Sequence, residues 1–422
     1  MASATALPAG GERGFWIRLA AGLAVLAVGL AGGAWVMEHE GHIVTGMNNE
    51  IVWGTPHVFA IFLIVAASGV LNVASMASVF GQAHYKPWAR LSALLCFALL
   101  AGGLMVLMLD LGRPERIVVA ATHYNFKSVF AWNVFLYSGM FAAVVVYLWM
   151  HLEKRMNRYA KPAGIAALVW RFVLTTGTGA IFAFLVARQA YASAVLPPLF
   201  IVLSLAWGMA VFVLVQAAYG GASDELLRRM RNLLGVMVAL ALYFTAVYHL
   251  TNLYFARQHE FERFILADGG VYPFLFWAGY VLAGSVAPMA LLWRPGATAA
   301  RLRAAAWLTL LGAFAWLYVF IIGGQAFPLE IFPGYEVTNS CRDGEIAAYA
   351  PRLPEVLLGL AGVAAAFVIT LVGVQVLDIV PGEEAPSYAH PPAAARHAAG
   401  GHAAGHAAGH AAKPAAGKAA AG

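Results

Sequence analysis

Eight polar residues near the ends of long apolar runs carry side chains that could bind a small redox-active ring and exchange protons with it. They are a carboxylate, two imidazoles, a phenol, two amides and two guanidinium groups: Asp110, His57, His123, Tyr137, Asn133, Gln189, Arg113 and Arg188. An ionisable group costs about 2.5–3.5 kcal/mol at mid-membrane, so each one in apolar sequence needs a reason. A quinone suits this set, because its carbonyl groups need donors and its ring needs aromatic walls. Its chemistry also needs a proton acceptor linked to water, and we predict that Asp110 relays protons and that His57 acts with it.

Simpler structural explanations exist for several of these residues. Asp110 and Arg113 are three positions apart and could pair to end a helix. His57 follows a proline at a helix start, where its ring could bind a backbone carbonyl. Tyr137 could belong to the interfacial aromatic belt, and Arg188 could extend its charge to the membrane surface. The prediction therefore rests on the expectation that all eight residues lie near the same end of one helix bundle.

The composition identifies the environment of these residues. The 422-residue chain is 62% hydrophobic and 11% charged, against about 45–50% and about 25% in soluble proteins. A water-soluble enzyme is excluded, and the +6 net charge is spread between apolar runs, which argues against nucleic acid as a partner. Ten segments are long enough to cross a bilayer as helices: 15–37, 55–80, 90–111, 128–151, 164–187, 196–220, 231–256, 270–293, 303–323 and 354–378.

The predicted fold is therefore all-α and polytopic. Weak similarity between Arg188-Gln189-Ala190-Tyr191 and Gly324-Gln325-Ala326-Phe327 indicates two copies of a four-helix unit. We predict a membrane domain over 15–380, with one four-helix bundle over 55–187 and another over 196–323. The helices 15–37 and 354–378 flank them. Residues 1–14 form a cytoplasmic N-terminus, and 381–422, rich in Ala, Gly and His, form a disordered cytoplasmic tail.

The distribution of basic residues predicts the orientation. Seventeen Lys and Arg residues lie on the side of the termini and eight on the opposite side, so the positive-inside rule places both termini in the cytoplasm. The expected location is the inner (cytoplasmic) membrane. The longest polar segments are on the outer side, so a partner is expected to bind there.

Metal-containing cofactors are not expected in this chain. It has two cysteines and no Cys-x-x-Cys pair, which argues against an iron–sulfur cluster. Haem would need two histidines at matched depth on facing helices, and His57 and His249 fall in different predicted bundles. In the second repeat, Tyr248, His249, Asn252 and Tyr254 could form a second ligand site, a proton path or a polar seam between helices.

Four short motifs resemble one family of membrane subunits. They are Leu109-Asp110-Leu111-Gly112-Arg113-Pro114, Asn125-Phe126-Lys127-Ser128-Val129, Phe332-Pro333-Gly334-Tyr335 and Pro354-Glu355. At these residues the chain resembles the NrfD/PsrC family of polysulfide reductase membrane subunits, over most of 50–380. It is most similar to the ten-helix branch, which includes membrane subunits of sulfite-reductase-associated complexes.

This resemblance implies an anchor without haem or clusters of its own, which exchanges electrons between the quinone pool (menaquinone or ubiquinone) and a partner. The implied partner is a periplasmic iron–sulfur protein with several [4Fe–4S] clusters, together with other subunits, cytochromes included. The implied quinone pocket lies in the first bundle near the outer face. A role in dissimilatory sulfur metabolism is expected.

Three other functions fit parts of the sequence. Paired repeats would suit a secondary transporter, but the charges cluster at one face and not at mid-membrane. A redox-driven proton-translocating subunit would need a polar path across the bilayer. A purely structural membrane anchor would bind no quinone.

Overall fold

The fold is a set of ten long apolar helices joined by short segments at one end and longer ones at the other. The computed structural model describes residues 11–296, 298–329, 335, 344–377 and 379–380. The long helices are α1 Gly11–Glu40, α2 Thr55–Ser78, α3 Ala83–Leu109, α4 Val129–Leu152, α5 Arg155–Ala183, α6 Leu196–Tyr219, α7 Asp224–Tyr254, α8 Val271–Trp293, α9 Ala299–Ala326 and α10 Leu353–Val376. Each is long and apolar enough to cross a membrane, and the all-α prediction is confirmed.

Helix contacts occur both within and between the two predicted four-helix groups, which we call the first bundle (α2–α5) and the second bundle (α6–α9). Helix α2 packs on α3 and α4 on α5 in the first bundle, while α6 packs on α7 and α8 on α9 in the second. Contacts between α2 and α6 join the bundles, and α10 lies against α3 and α1. The predicted tail, most of the N-terminal segment and the Phe332-Pro333-Gly334 motif lie outside the described residues.

The bundles meet where glycines let two backbones touch. A Cβ atom built on Gly69 of α2 would lie 1.6 Å from the carbonyl oxygen of Ser204 on α6. One built on Gly208 would lie 2.2 Å from the backbone of Gly69 and Val70. Small residues allow such close approach between membrane helices, and they fix the α2–α6 crossing here.

Three helices begin well before their predicted apolar runs. Helix α3 begins at Ala83 instead of 90, α5 at Arg155 instead of 164, and α7 at Asp224 instead of 231. The Ser223 side chain accepts a hydrogen bond from the Leu226 N–H and so caps α7, with Asp224 and Glu225 in the first turn. Caps and acidic residues extend a helix into water without raising its hydropathy, so the apolar runs alone did not find these ends.

The connecting segments 41–54, 110–128, 184–195 and 255–270, with the described residues 327–329 and 344–352, lie at the same end of the helices, which we call the loop-rich end. Two short helices, Ile117–Thr122 and His259–Arg263, lie in these connections. Helix α5 ends at Ala183, so Arg188 and Gln189 belong to the connection and not to the helix as predicted. The buried ionisable pairs described below are held at this end.

Candidate functional site

Asp110 and His57 form a buried carboxylate–imidazole pair at the loop-rich end of the first bundle. Asp110 ends α3, where its N–H donates to the carbonyl of Val106. His57 lies in the first turn of α2, and its Nδ1 is 2.8 Å from Oδ2 of Asp110. The His57 side chain is 15% exposed and the Asp110 side chain is 2% exposed. His57 thus binds a carboxylate and not the backbone carbonyl that its helix-start position suggested.

His42 is a second imidazole on the same carboxylate. Its Nε2 lies 3.1 Å from the backbone oxygen of Asp110 and 3.8 Å from Oδ1. Gly112 makes this approach possible: its φ is +66°, and a Cβ atom there would lie 3.1 Å from Cε1 of His42. Oδ1 of Asp110 is buried and accepts no hydrogen bond from the residues described. The carboxylate therefore keeps one oxygen for a further donor.

Aromatic rings surround the His57 side of the pair. The Trp53 ring stacks on His57, with centroids 5.7 Å apart and planes at 20°. Phe182 meets the edge of Trp53 at 5.6 Å, and Phe130 lies at 6.4 Å. Because Nδ1 of His57 faces the carboxylate, the neutral ring carries its proton there and leaves Nε2 as an acceptor. No residue in the described part of the chain bonds Nε2.

Gln325 from the second bundle holds the Trp53 backbone, and Arg188 holds Gln325. The Gln325 side chain accepts hydrogen bonds from the N–H groups of Val52 and Trp53, at 3.1 and 3.0 Å. Its amide donates to the Trp53 carbonyl at 2.9 Å. The Arg188 guanidinium donates to the carbonyls of Gln325 and Glu50, both at 2.7 Å. The structure therefore places Arg188 as a brace between the bundles.

Glu355 fixes the other end of the same loop. It is fully buried at the start of α10, and its carboxylate accepts hydrogen bonds from the Gly46 N–H and the Tyr349 hydroxyl. The N–H of Thr55 donates to the Tyr349 hydroxyl at 2.6 Å, and the two hydroxyls lie 2.8 Å apart. Burial and the Glu355 bond raise the pKa of Tyr349. The loop that ends in Trp53 and begins α2 is thus fixed at three points.

The remaining predicted residues fall into two groups. Asn133 and Tyr137 are buried on α4, one turn apart, and Oδ1 of Asn133 accepts no bond from the residues described. Arg113 and His123 are exposed, and Nδ1 of His123 lies 3.1 Å from the Thr122 hydroxyl. Gln189 is half-buried beside Arg188. The structure brings Asp110 and His57 into contact, and no described hydrogen bond or ion pair joins either of them to the other six residues.

Comparison with known proteins gives the family. The model of the family described as polysulphide reductase, NrfD, matches residues 43–329, which hold Asp110, His57, Trp53 and Arg188. The chain belongs to the NrfD family. The match spans α2 to α9 and leaves out all of α1 and α10.

Three curated NrfD-like relatives are similar over long stretches. The Hdr-like menaquinol oxidoreductase integral membrane subunit of Archaeoglobus fulgidus is 29% identical over 85% of this chain and 92% of its own length. A putative dimethyl sulfoxide reductase membrane subunit of Halobacterium salinarum is 28% identical over 84% and 89%. A polysulfide reductase chain of Wolinella succinogenes is 26% identical over 58% and 83%.

Sequence reasoning missed three residues that shape this NrfD-family site. His42 binds an atom 68 positions away, Gln325 binds atoms more than 270 positions away, and Glu355 bonds across 309 positions. No local periodicity or motif signals such contacts. The Gln189 and Gln325 similarity between the repeats was the one available sign for Gln325.

Loss of the Glu355 carboxylate should weaken the loop around Trp53. We expect Glu355→Gln to lower the free energy of unfolding by about 2 kcal/mol, because an amide has one acceptor oxygen for several buried donors. Tyr349→Phe should cost about 1 kcal/mol. Chemical unfolding in detergent measures both, with the exposed Glu345→Gln as the control. Equal stability of Glu355→Gln and the control would contradict the loop-fixing role.

The Asp110–His42 contact should make stability depend on pH. Burial raises the pKa of Asp110, but the His57 hydrogen bond and the nearby His42 imidazole outweigh it and hold this pKa below its usual 3.8. The Asp110 hydrogen bond raises the pKa of His42 above 6.5, against the opposing effect of burial. The Asp110 contribution is lost as pH falls through its lowered pKa, and the His42 contribution is lost as pH rises through its raised pKa.

Between pH 3.8 and 6.5 both contributions are therefore present. We expect the difference in melting temperature between the parent and His42→Gln to be largest in this window and to shrink at alkaline pH. His39→Gln is the control, because His39 is exposed and its ring binds the Trp35 carbonyl instead of a carboxylate. A difference that stays constant with pH would contradict the His42–Asp110 pairing.

Proposed function

We propose that this subunit exchanges electrons and protons with a quinone of the bilayer, at the Asp110–His57 pair, and passes the electrons to a redox partner. The observation that carries the proposal is the His57 ring, which binds a buried carboxylate through Nδ1, stacks on Trp53 and has no partner for Nε2 among the described residues. The names of the relatives support it, since one is a menaquinol oxidoreductase subunit and others belong to reductases. Menaquinone and ubiquinone both fit this chemistry.

The proton step follows from the geometry of the pair. His57 Nε2 accepts the proton of a quinol hydroxyl, and Asp110 stabilises the imidazolium through Nδ1–H. Oδ1 of Asp110 can take a proton in turn, and the half-exposed His42 connects the pair to the loop-rich end. In the reverse direction the same groups deliver protons to a quinone carbonyl. Oxidation of one quinol releases two electrons and two protons, so the pair must accept and pass on two protons, one after the other, in each turnover.

The electron partner is proposed to bind at the loop-rich end, close to this pair. We propose a periplasmic iron–sulfur protein with several [4Fe–4S] clusters, with further subunits that can include cytochromes. The relatives named as membrane subunits of an oxidoreductase and a reductase support membership of a larger complex. The family description as polysulphide reductase supports a role in sulfur metabolism.

The orientation is part of the proposal. With both termini in the cytoplasm, the loop-rich end faces the outside of the inner membrane, and quinol protons leave on that side. The excess of Lys and Arg on the side of the termini supports this orientation. Labelling of single cysteines at exposed Arg113 and Arg228 with an impermeant reagent in whole cells tests it. Labelling of the Arg113 position alone is the expected result.

Binding of a quinol-analogue inhibitor tests the site directly. We expect saturable quenching of tryptophan fluorescence in the purified protein and at least tenfold weaker binding in His57→Gln. His259→Gln is the matched control, because that ring is exposed at the same end of the protein. Equal binding by the parent and His57→Gln would remove His57 from the site. A folded parent that binds no analogue would leave the anchor and transporter functions as the alternatives.

A further inference from the structure

The second bundle holds its own carboxylate–imidazole pair at the loop-rich end. Glu262 lies on the short helix His259–Arg263 and has no exposed surface. Its Oε2 is 2.7 Å from Nδ1 of His249, and its Oε1 accepts from the Asn252 side chain at 2.7 Å. His249 and Asn252 are buried in the last turns of α7. A second ligand site, a proton path and a polar seam were the three possibilities predicted for this polar stretch. Glu262 now provides His249 with a carboxylate partner, as a proton path would need.

The surroundings of this pair are aromatic and apolar. Phe276 meets the His249 ring edge-on at 4.7 Å. A cavity of about 10 Å³, close to the smallest that holds one water molecule, borders His249 and Tyr248 and is walled by Phe261 and Trp316. Such walls leave a charge on Glu262 with little solvation.

The other titratable groups on the neighbouring elements have partners or face water. Tyr248 donates to the Ala190 carbonyl, and Tyr280 bonds Thr245. Arg263 pairs with Asp268 at the surface, and the Arg257 guanidinium donates to the Val186 carbonyl. His259 and Glu260 are exposed, and Tyr272 and Tyr318 pack together with ring centroids 6.3 Å apart. Among the described residues, the ion-pair contact of Glu262 is with His249 alone.

Charge balance then determines how many protons the pair holds. An ionised Glu262 beside a neutral His249 would leave a full negative charge in an apolar site, which costs several kcal/mol. One further proton makes the pair neutral overall, whether it resides on the imidazole or on the carboxyl. A neutral arrangement, in which the two side chains share one acidic proton, avoids that cost.

Irregular helix geometry is concentrated around this pair. Three of the four π-helical segments in the described residues, Phe264–Asp268, Leu275–Val286 and Tyr318–Gly323, provide walls of the cavity. π-Helical turns occur frequently at functional sites, because they re-aim side chains at a cost in backbone stability. This geometry is a second feature, independent of the charges, that sets the location apart.

We propose that His249 and Glu262 form a second proton-binding site, in the second bundle, which holds one exchangeable proton. Its ligand is the hydrogen ion, and Asn252 orients the carboxylate by its hydrogen bond to Oε1. With Asp110–His57, each bundle then has one carboxylate–imidazole site at the loop-rich end. The second site does not depend on quinone binding at the first.

Counting protons in the purified full-length protein tests the proposal. The protein is titrated from neutral to alkaline pH in nanodiscs, and proton release is followed with an indicator dye. We expect Glu262→Gln to release one proton fewer per molecule than the parent, because glutamine and a neutral His249 need no extra proton. Glu260→Gln is the matched control, since this exposed glutamate lies two residues earlier on the same helix.

Equal proton release by Glu262→Gln and Glu260→Gln would overturn the proposal. If Glu262→Gln does not fold, His249→Gln replaces it, and the alkaline release step of the parent is expected to move to a different pH. A step at an unchanged pH would overturn the proposal in that case. These measurements use no quinone, so their outcome is separate from that of the inhibitor-binding experiment.

Discussion

Replacement of Asp110 by asparagine is expected to slow quinol oxidation by the assembled complex about 100- to 10,000-fold. Asparagine has nearly the same shape but no charge, so it cannot stabilise the imidazolium that His57 forms when it takes a proton. The amide can also turn its NH₂ toward Nδ1 of His57, which would force the ring proton onto Nε2 and block the acceptor. Steady-state turnover with a soluble quinol analogue measures the effect.

Asp268→Asn serves as the control for this experiment. Asp268 is an exposed carboxylate at the loop-rich end, paired with Arg263, so its loss should leave turnover unchanged. A helical signal in Asp110→Asn equal to that of the parent separates loss of proton transfer from a collapsed protein. Normal turnover in Asp110→Asn would exclude the carboxylate from the reaction.

A single added methyl group at Gly69 is expected to destabilise the protein by about 3 kcal/mol or more. Its carbon would lie 1.6 Å from the Ser204 carbonyl oxygen and 2.4 Å from the carbonyl carbon, so α2 and α6 would have to separate. Both atoms belong to backbone, which cannot rotate away as a side chain can. Unfolding of Gly69→Ala in detergent, followed by loss of helical signal, measures the change.

Gly32→Ala in α1 is the matched substitution. The neighbour that a Cβ atom there would meet is Cδ1 of Leu357, at 2.8 Å, the end of a flexible side chain. Alanine also favours a helix over glycine by about 1 kcal/mol, so this variant should be as stable as the parent. Similar losses in the two variants would show that the α2–α6 crossing is not tightly constrained.

The membrane architecture could be predicted because hydrocarbon imposes its rule on every residue of a span. A run of about twenty apolar residues in a bilayer must pair its own backbone N–H and C=O groups, and a helix does this within the run. Ten such runs therefore predicted ten helices. The starts of α5 and α7 were not predicted, because charged residues and the Ser223 cap continue those helices in water. Helix ends depend on single hydrogen bonds and not on composition.

The site could be predicted only in outline. Asp110 and His57 were predicted because an ionisable side chain near hydrocarbon raises the free energy of the fold unless it has a partner. The same requirement explains why the two side chains bind each other. His42, Glu262 and Glu355 were missed, because they occur in polar connections or at helix starts, where such residues are common. Their burial arises from contacts with distant parts of the sequence, which neither spacing nor hydropathy encodes.

The brace formed by Arg188 and Gln325 limits how the protein can be divided. The backbone of Trp53, next to the first-bundle pair, is hydrogen-bonded by a side chain from α9, more than 270 positions away. A gene fragment for α2–α5 alone would encode Asp110 and His57 but lose the Gln325 amide that holds Trp53. Two separately expressed halves, cut in 184–195, should regain the site only on reassembly. The second bundle is therefore not a dispensable module, because the first bundle alone lacks the amide that holds Trp53.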